Sequence, residues 1–170
     1  PDLHAGGYRR QELCWAWYEF RKLNCNVRTT IAVQRPISQW RYSMTDLADL
    51  PIGEMIDAAE FTRRMHQLVP LSGEIGLVAT EMRNDGSARV ILPFAPSFSR
   101  PGGSISGPAI MAMADVAMFA GINGKLGWTP MAMTSNQHTT FLKPPKLEEL
   151  VADATPLRFG RRLVVFTVAI

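Results

Sequence analysis

The spacing of apolar residues predicts two helices and five strands in the last three quarters of the chain. Apolar residues recur at helical spacing over residues 56–69, and Pro70 ends this pattern. A second helix is predicted over residues 108–121, which are apolar on nearly every side except at Asp115. Strand-like runs bounded by turn residues complete the pattern, and they cover residues 75–83, 88–94, 131–142, 151–158 and 163–170.

The order of these elements indicates the fold class. Asn84-Asp85-Gly86 separates the first two strands and is a strong hairpin signal. A long helix among antiparallel strands is typical of an α+β domain rather than of a doubly wound parallel sheet. The final strand, residues 163–170, has no turn or polar tail after it, so we expect at least one further strand of the sheet to be missing from this chain.

Composition differs between residues 1–43 and residues 44–170. The first segment holds all three Tyr, three of the four Trp and both Cys, but none of the nine Met. It carries seven Lys and Arg against three Asp and Glu, whereas the rest carries eleven against twelve, so the net charge of +3 belongs to the leading segment. That segment is either a basic extension that docks on a partner or upstream sequence that is not native coding sequence. Composition favours the second interpretation, and contact of Trp15, Trp17 and Trp40 with the core would favour the first.

The nearly neutral body of the chain excludes several classes of function. No basic stripe interleaved with aromatic residues, as nucleic-acid binding requires, is present in residues 44–170. The longest nearly apolar run, residues 108–122, is interrupted by Asp115 and is shorter than the roughly 20 residues of a membrane span. Cys14 and Cys25 make no disulfide framework, so a reducing cytoplasmic compartment is expected. The histidines lack metal-ligand spacing, so no metal is expected.

Asp115 and the residues just before its helix are the candidates for chemistry. A carboxylate in an apolar helix is costly unless it is paired, and Asp does not favour mid-helix positions, so a catalytic role is indicated. Ser106-Gly107-Pro108 precedes the helix, where unpaired N–H groups can form an oxyanion hole and Gly107 admits a ligand close to the backbone. An ordinary helix start with Ser106 as the cap is the alternative.

The distance between these two features predicts a dimer. Gly107 and Asp115 are eight residues apart, which is about 12 Å along one helix, whereas both should approach the same reacting group to roughly 3 Å. Two antiparallel copies of the helix across a two-fold axis would bring them together. On the strand over residues 131–142, Thr134 is the candidate to hydrogen-bond the substrate or Asp115. His138 is interpreted as structural rather than as a general base.

Five segments taken together form a specific pattern that covers roughly residues 75–170. They are Pro101-Gly102-Gly103-Ser104-Ile105-Ser106-Gly107-Pro108, Met113-Ala114-Asp115, Met133-Thr134-Ser135-Asn136, Phe141-Leu142-Lys143-Pro144 and Phe159-Gly160-Arg161. This pattern resembles the hotdog-fold acyl-CoA thioesterases of the PaaI-like (phenylacetic acid degradation) type. The resemblance implies a curved antiparallel sheet wrapped around one long central helix, and homodimers or homotetramers with sites shared between subunits. It also implies hydrolysis of a small or medium acyl-CoA, with the CoA thioester as substrate and no cofactor.

The same resemblance implies residue roles. Asp115 matches the family's catalytic acid, which acts as nucleophile or as general base for water, and Gly107 matches the glycine whose N–H polarises the thioester carbonyl. Thr134 stands where such enzymes often keep a Ser or Thr. The family's usual His-Gly-Gly at the helix start is here Ser106-Gly107-Pro108, a departure that bears on rate and substrate choice. Candidate contacts to the substrate are Arg100, which stands where an Asn is common, Ser106 and Asn136. Candidate contacts to the phosphates of CoA are Lys143, Arg161 and Arg162.

Two other functions remain open from the sequence. A hotdog dehydratase or hydratase acting on acyl thioesters would need a His paired with an acid, and only His138 is available for that role. A non-catalytic acyl-CoA-binding hotdog protein is the other alternative, because Arg100 and Pro108 stand at altered positions.

Overall fold

The computed structural model describes residues 52–170 and the backbone of one strand further upstream. Eleven helices and strands are present in these two ranges. They are β1 (Asn26–Ala32), α1 (Ala58–Leu68), α2 (Pro70–Glu74), β2 (Val78–Met82), β3 (Ala88–Leu92), β4 (Ser99–Arg100), β5 (Ser104–Ile105), α3 (Gly107–Leu126), β6 (Met133–Thr139), β7 (Leu150–Phe159) and β8 (Leu163–Ala169). The elements expected from the apolar pattern are all found, and there are four additions to them, namely α2, which begins at Pro70, and the strands β1, β4 and β5.

Six strands form one antiparallel sheet in the order β2-β3-β7-β8-β1-β6, and β4 pairs with β5 in a small separate ribbon. The sheet packs around α3, the long central helix. This is the α+β hotdog architecture that the sequence predicted. Side chains alternate between buried and exposed along β7 and β8, as expected for a sheet with one face against a core.

The edge of β8 is paired over its whole length. β1 aligns from Asn26 opposite Ala169 to Ala32 opposite Leu163, and its other edge pairs with β6. The place in which we expected a further strand is therefore filled by a strand from the leading segment. The division between residues 1–43 and 44–170 stays a prediction, and Trp15, Trp17 and Trp40 lie outside the described residues.

α3 is the core of the fold. By length and composition it could cross a membrane, but 61% of its most apolar stretch is buried within the fold, as in the core helix of a globular domain. Its buried residues pack with those of the sheet and with Phe61, Trp128 and Phe166, whose side chains are at most 1% exposed.

Gly121, at which the sequence analysis ended this helix, and Gly124 both lie inside it. A Cβ at Gly121 would collide with the carbonyl oxygen of Gly86, and a Cβ at Gly124 would lie 3.0 Å from the carbonyl oxygen of Arg83. Both positions therefore let the β2–β3 hairpin approach the backbone of α3 closely. The helix ends instead at Gly127, which has a φ of 74°.

Arg64 fixes α1 to the rest of the molecule. Its side chain is 8% exposed, donates hydrogen bonds to Glu54 at 2.8 Å and Glu60 at 2.6 Å, and lies over the ring of Trp128. Hydrogen bonds from Arg63 and Arg64 lower the pKa of Glu60 from 4.5 to about 2. Glu60 therefore remains a charged partner for both guanidinium groups down to strongly acidic pH.

Candidate functional site

Asp115 lies near the middle of α3, on the side of the helix that faces β6. Its neighbours Ala114 and Val116 are buried, whereas Asp115 itself is half-buried in the single chain. The hydroxyl of Thr134, at the start of β6, donates a hydrogen bond to Asp115 Oδ1. The structure thus brings together two of the side chains that the sequence singled out for catalysis.

A second contact between α3 and β6 involves a residue that sequence reasoning missed. Gln137 Nε2 donates to the backbone oxygen of Met111 at 3.1 Å. The pairing of β1 with β6 is irregular at the start of β6, and Thr134 lies within that irregular stretch. The alternation of residues along β6 predicts that the strand has two faces, but the local sequence does not indicate which face packs against α3.

Asn136 and His138 are exposed on β6, and neither forms a side-chain hydrogen bond to a described residue. They alternate with Gln137, which faces α3, so both belong to the opposite face of the strand. The predicted substrate contact of Asn136 is thus not brought to Asp115 within one chain. Nor does His138 have a carboxylate partner in residues 52–170, as a hydratase would require.

Gly107 occupies the first turn of α3, where a backbone N–H has no acceptor inside the helix. No described residue outside the helix accepts from it either, and Pro108 has no N–H to offer. Ser106 is the N-cap by position, but its side chain makes no capping hydrogen bond. A Cβ on Gly107 would lie 3.3 Å from the ring of Phe141, so the glycine also permits a close contact with the segment that follows β6.

A cavity of about 490 Å³ opens at this end of α3. It is lined by Gly107, whose N–H is the candidate hydrogen-bond donor to a substrate carbonyl. Two cationic residues, Arg100 and Lys143, also line it. Neither cation forms an ion pair or hydrogen bond with any residue in the described ranges. The other lining residues are apolar or small, namely Pro101, Gly102, Ser104, Ile105, Ile110, Phe141, Leu142, Pro144 and Pro145.

The other two predicted cations, Arg161 and Arg162, lie at the opposite end of the sheet from Lys143. β1 pairs the end of β6 with the end of β8, and the start of β6 with the start of β8. Lys143 follows the end of β6, whereas both arginines precede the start of β8. Sheet register therefore separates Lys143 from the two arginines within a single chain, and the substrate contacts expected of all three stay predictions.

The same register separates the two halves of the candidate site. Gly107 lies beside Phe141, beyond the end of β6, and Asp115 lies beside Thr134 at its start. α3 runs unbroken between them, so the rise of about 12 Å expected for eight residues applies. One chain thus presents a carboxylate at one place and a free backbone N–H at another. Within residues 52–170, no group of three or more His, Cys, Asp and Glu side chains is arranged to hold a metal ion.

Comparison with known proteins finds a family model that matches part of the chain and solved structures that share its fold. Residues 102–170 match the model of the Thioesterase superfamily. No curated protein matches the chain.

Solved structures share the fold at low sequence identity. A phenylacetic acid degradation-related protein from Ralstonia eutropha is 22% identical, with a TM-score of 0.52 over 64% of this chain and 96% of that one. The PaaI protein from the phenylacetic acid degradation operon of E. coli is 18% identical, with a TM-score of 0.53 over 66% and 89%. A thioesterase from Haemophilus influenzae is 15% identical, with a TM-score of 0.54 over 71% and 94%. The resemblance is therefore confirmed in fold by these structures and in sequence by the Thioesterase superfamily match, which covers residues 102–170.

Proposed function

We propose that this protein hydrolyses the thioester bond of a small or medium acyl-CoA, with a site shared between two copies of the chain. The observation that carries the proposal is the hydrogen bond between Asp115, which is half-buried on the helix face next to β6, and Thr134, which is exposed on β6. The superfamily match over residues 102–170 supplies the reaction class. The cavity beside Gly107 supplies a place for the thioester carbonyl.

In this proposal the carbonyl oxygen accepts a hydrogen bond from Gly107 N–H of one copy, and Asp115 of the other copy faces the carbonyl carbon. Either Asp115 removes a proton from an attacking water, or its carboxylate attacks and water later cleaves the resulting anhydride. In both routes negative charge develops on the carbonyl oxygen, where the helix N–H stabilises it. In the general-base route the C–S bond then breaks, the thiolate of CoA takes up the proton that Asp115 removed from water, and the acyl group leaves as a carboxylic acid. In the nucleophilic route the C–S bond breaks as the anhydride forms, and the water that cleaves the anhydride restores Asp115, releases the carboxylic acid and supplies the proton that the thiolate takes up. Thr134 orients the carboxylate.

The exposed edge of the sheet supports pairing of two copies. β6 is the last strand of the sheet, and within the described chain its outer edge has no partner strand. Unpaired edges are templates for association with another chain. Met111 on α3 and Met133 on β6 are 39% and 59% exposed beside this edge, so a second copy would cover apolar as well as polar surface. A homodimer or a homotetramer built from it satisfies the proposal.

Mixed dimers test the shared site directly. Asp115→Asn removes the carboxylate, and Gly107→Pro removes the N–H at a helix position that tolerates proline. Gly107→Ala is the matched control, because it keeps the N–H and adds only a Cβ beside the ring of Phe141. Each of the first two variants alone should release almost no thiol from acyl-CoA, while the alanine variant retains most of the activity.

Co-expression of the two inactive chains with different affinity tags gives purified mixed dimers. These should regain about half of the parent's activity, because one of their two sites has both groups intact. Mixed dimers as inactive as either variant would contradict the shared site. Unchanged turnover of Asp115→Asn would contradict its catalytic role, and a parent protein inactive on short, long and aromatic acyl-CoAs would contradict the function. Hydration of an enoyl-CoA without thiol release would favour the hydratase instead.

A further inference from the structure

The cavity beside Gly107 has a charge that thioester hydrolysis does not require. Arg100 and Lys143 both line it, and no Asp or Glu is among its lining residues. Since neither cation is paired with a described residue, their charge is available to a ligand. Two like charges that share a cavity are stabilised by a bound anion.

The remaining wall of the cavity is apolar. Ile105, Ile110, Phe141 and Leu142 give it a surface suited to a hydrocarbon chain, and its volume of about 490 Å³ is within the range of small-molecule sites. The ligand that fits is therefore a short hydrocarbon segment that ends in an anionic group.

We propose that this cavity selects acyl chains with a terminal carboxylate, so that the preferred substrate is the mono-CoA thioester of a dicarboxylic acid. This inference rests on the proposed thioesterase function. Arg100 binds the carboxylate with its planar pair of N–H donors, and Lys143 adds a second charge-assisted hydrogen bond. Both are specificity residues in this role, and neither takes part in breaking the C–S bond.

The phosphates of CoA are the other source of negative charge. The whole pantetheine arm separates them from the thioester sulfur, whereas Arg100 and Lys143 line the same cavity as the proposed carbonyl donor Gly107. Cations so close to the reacting carbonyl fit the acyl side of the substrate better than its nucleotide side.

The test compares acyl chains that differ only in their last group. Glutaryl and pentanoyl thioesters carry a terminal carboxylate and a methyl group respectively, and succinyl with butyryl gives a shorter pair. Each is offered both as the CoA thioester and as the N-acetylcysteamine thioester, which lacks all phosphates. We expect the parent to prefer the carboxylate-bearing member of each pair in both forms, with a ratio of about 10 to 100 in kcat/KM.

Variants assign that preference to the two cations. Arg100→Gln and Lys143→Gln should each abolish most of it by lowering kcat/KM for the glutaryl thioesters, with little change for the pentanoyl thioesters. Arg100→Lys should restore part of it. Arg158→Gln is the matched control, since Arg158 is exposed on β7, outside the cavity, and carries the same charge.

Four results would overturn the inference. If Arg100→Gln and Lys143→Gln lower kcat/KM equally for the glutaryl and pentanoyl thioesters of CoA, but not for those of N-acetylcysteamine, the cations bind the phosphates. If the two variants lower kcat/KM equally for both acyl groups in the CoA and the N-acetylcysteamine thioesters alike, the cations act on the carbonyl oxygen. Efficient hydrolysis by the parent without preference for the carboxylate would overturn this inference and leave the thioesterase function standing, whereas no hydrolysis of any thioester would overturn both.

Discussion

β8 and β6 lie on either side of the same strand of the sheet, yet they differ in almost every respect. β8 buries Val164, Phe166 and Val168 at 0–1% exposure, with partly or fully exposed residues between them. β6 is polar, and five of its seven residues are exposed. We call the two regions the packed side, formed by β3, β7 and β8 with the helix face they cover, and the β6 side, formed by β6 with Asp115 and Met111. The packed side supplies burial, whereas the β6 side supplies hydrogen-bonding groups at an open edge.

This difference indicates that the two regions have different roles. The alternating side chains that the strands bury on the packed side contribute to the free energy of unfolding of each single chain. Exposed polar groups at a sheet edge contribute little to it, and they remain available to a substrate and to a second copy. Changes on the packed side should therefore affect stability first, and changes on the β6 side should affect activity first.

The largest effect is expected from truncating Phe166. Its ring is 0% exposed and packs at 5.7 Å from the ring of Phe159, so Phe166→Ala should lower the free energy of unfolding by about 3–5 kcal/mol. Phe141→Ala is the control, since Phe141 is 50% exposed, and it should lose only about 1 kcal/mol. Urea denaturation measures both, and similar losses for the two variants would break the comparison.

The next effect concerns the close contact between α3 and the β2–β3 hairpin. In Gly121→Ala the new methyl group meets the backbone oxygen of Gly86 and the ring of Phe166, so we expect a loss of about 1–3 kcal/mol in thermal or urea unfolding. Gly107→Ala, in the same helix, meets only the ring of Phe141 and should remain within about 1 kcal/mol of the parent. A Gly121→Ala variant as stable as the parent would contradict the close approach.

On the β6 side, Thr134→Val should reduce kcat by about tenfold, because the hydrogen bond that orients the Asp115 carboxylate is lost. Its unfolding free energy should change by no more than about 0.5 kcal/mol, since Thr134 is exposed. Thr134→Ser keeps the hydroxyl and should retain most of the activity. If Thr134→Val instead lost much stability while its kcat per folded molecule stayed unchanged, β6 would contribute to stability rather than to activity, contrary to the comparison.

The smallest effect is a pH dependence far from the β6 side. Since the pKa of Glu60 falls from 4.5 to about 2 on folding, its ion pairs stabilise the protein fully above about pH 4.5 and are lost as the pH falls toward 2. Glu60→Gln should therefore be slightly less stable than the parent at pH 7, with a difference that shrinks over that interval. Glu148→Gln, at an exposed residue, is the control. A difference that stayed constant down to pH 2 would contradict this account.

Much of the packed side could be predicted from local sequence. A short apolar run after a turn identified β8, and a longer apolar run identified α3, because these patterns reflect burial of each element against one core. Gly121 was misread as a helix end because a glycine needed for close backbone approach has the same local pattern as a glycine that terminates a helix. Only the position of the hairpin distinguishes the two.

The candidate site was predictable in its residue types and less so in its arrangement. Asp115 was identified by being the one acidic residue in an apolar helix, and Thr134 by its place in a polar strand. The separation of Lys143 from Arg161 depends on how β1 aligns β6 with β8, and the contact of Gln137 with Met111 depends on which face of β6 meets α3. Both are properties of long-range pairing that no local pattern contains.

The contact of the hairpin with Gly124 has a consequence for the direction in which Asp115 points. The two residues are nine positions apart, which places them about 180° from each other around the axis of an α-helix. By holding the glycine face of α3 against β2 and β3, the hairpin fixes the azimuth of the helix and turns the carboxylate toward β6. Rotation of this helix by even a fraction of a turn would aim Asp115 away from Thr134, so the orientation of this carboxylate is determined by a steric contact more than two turns away.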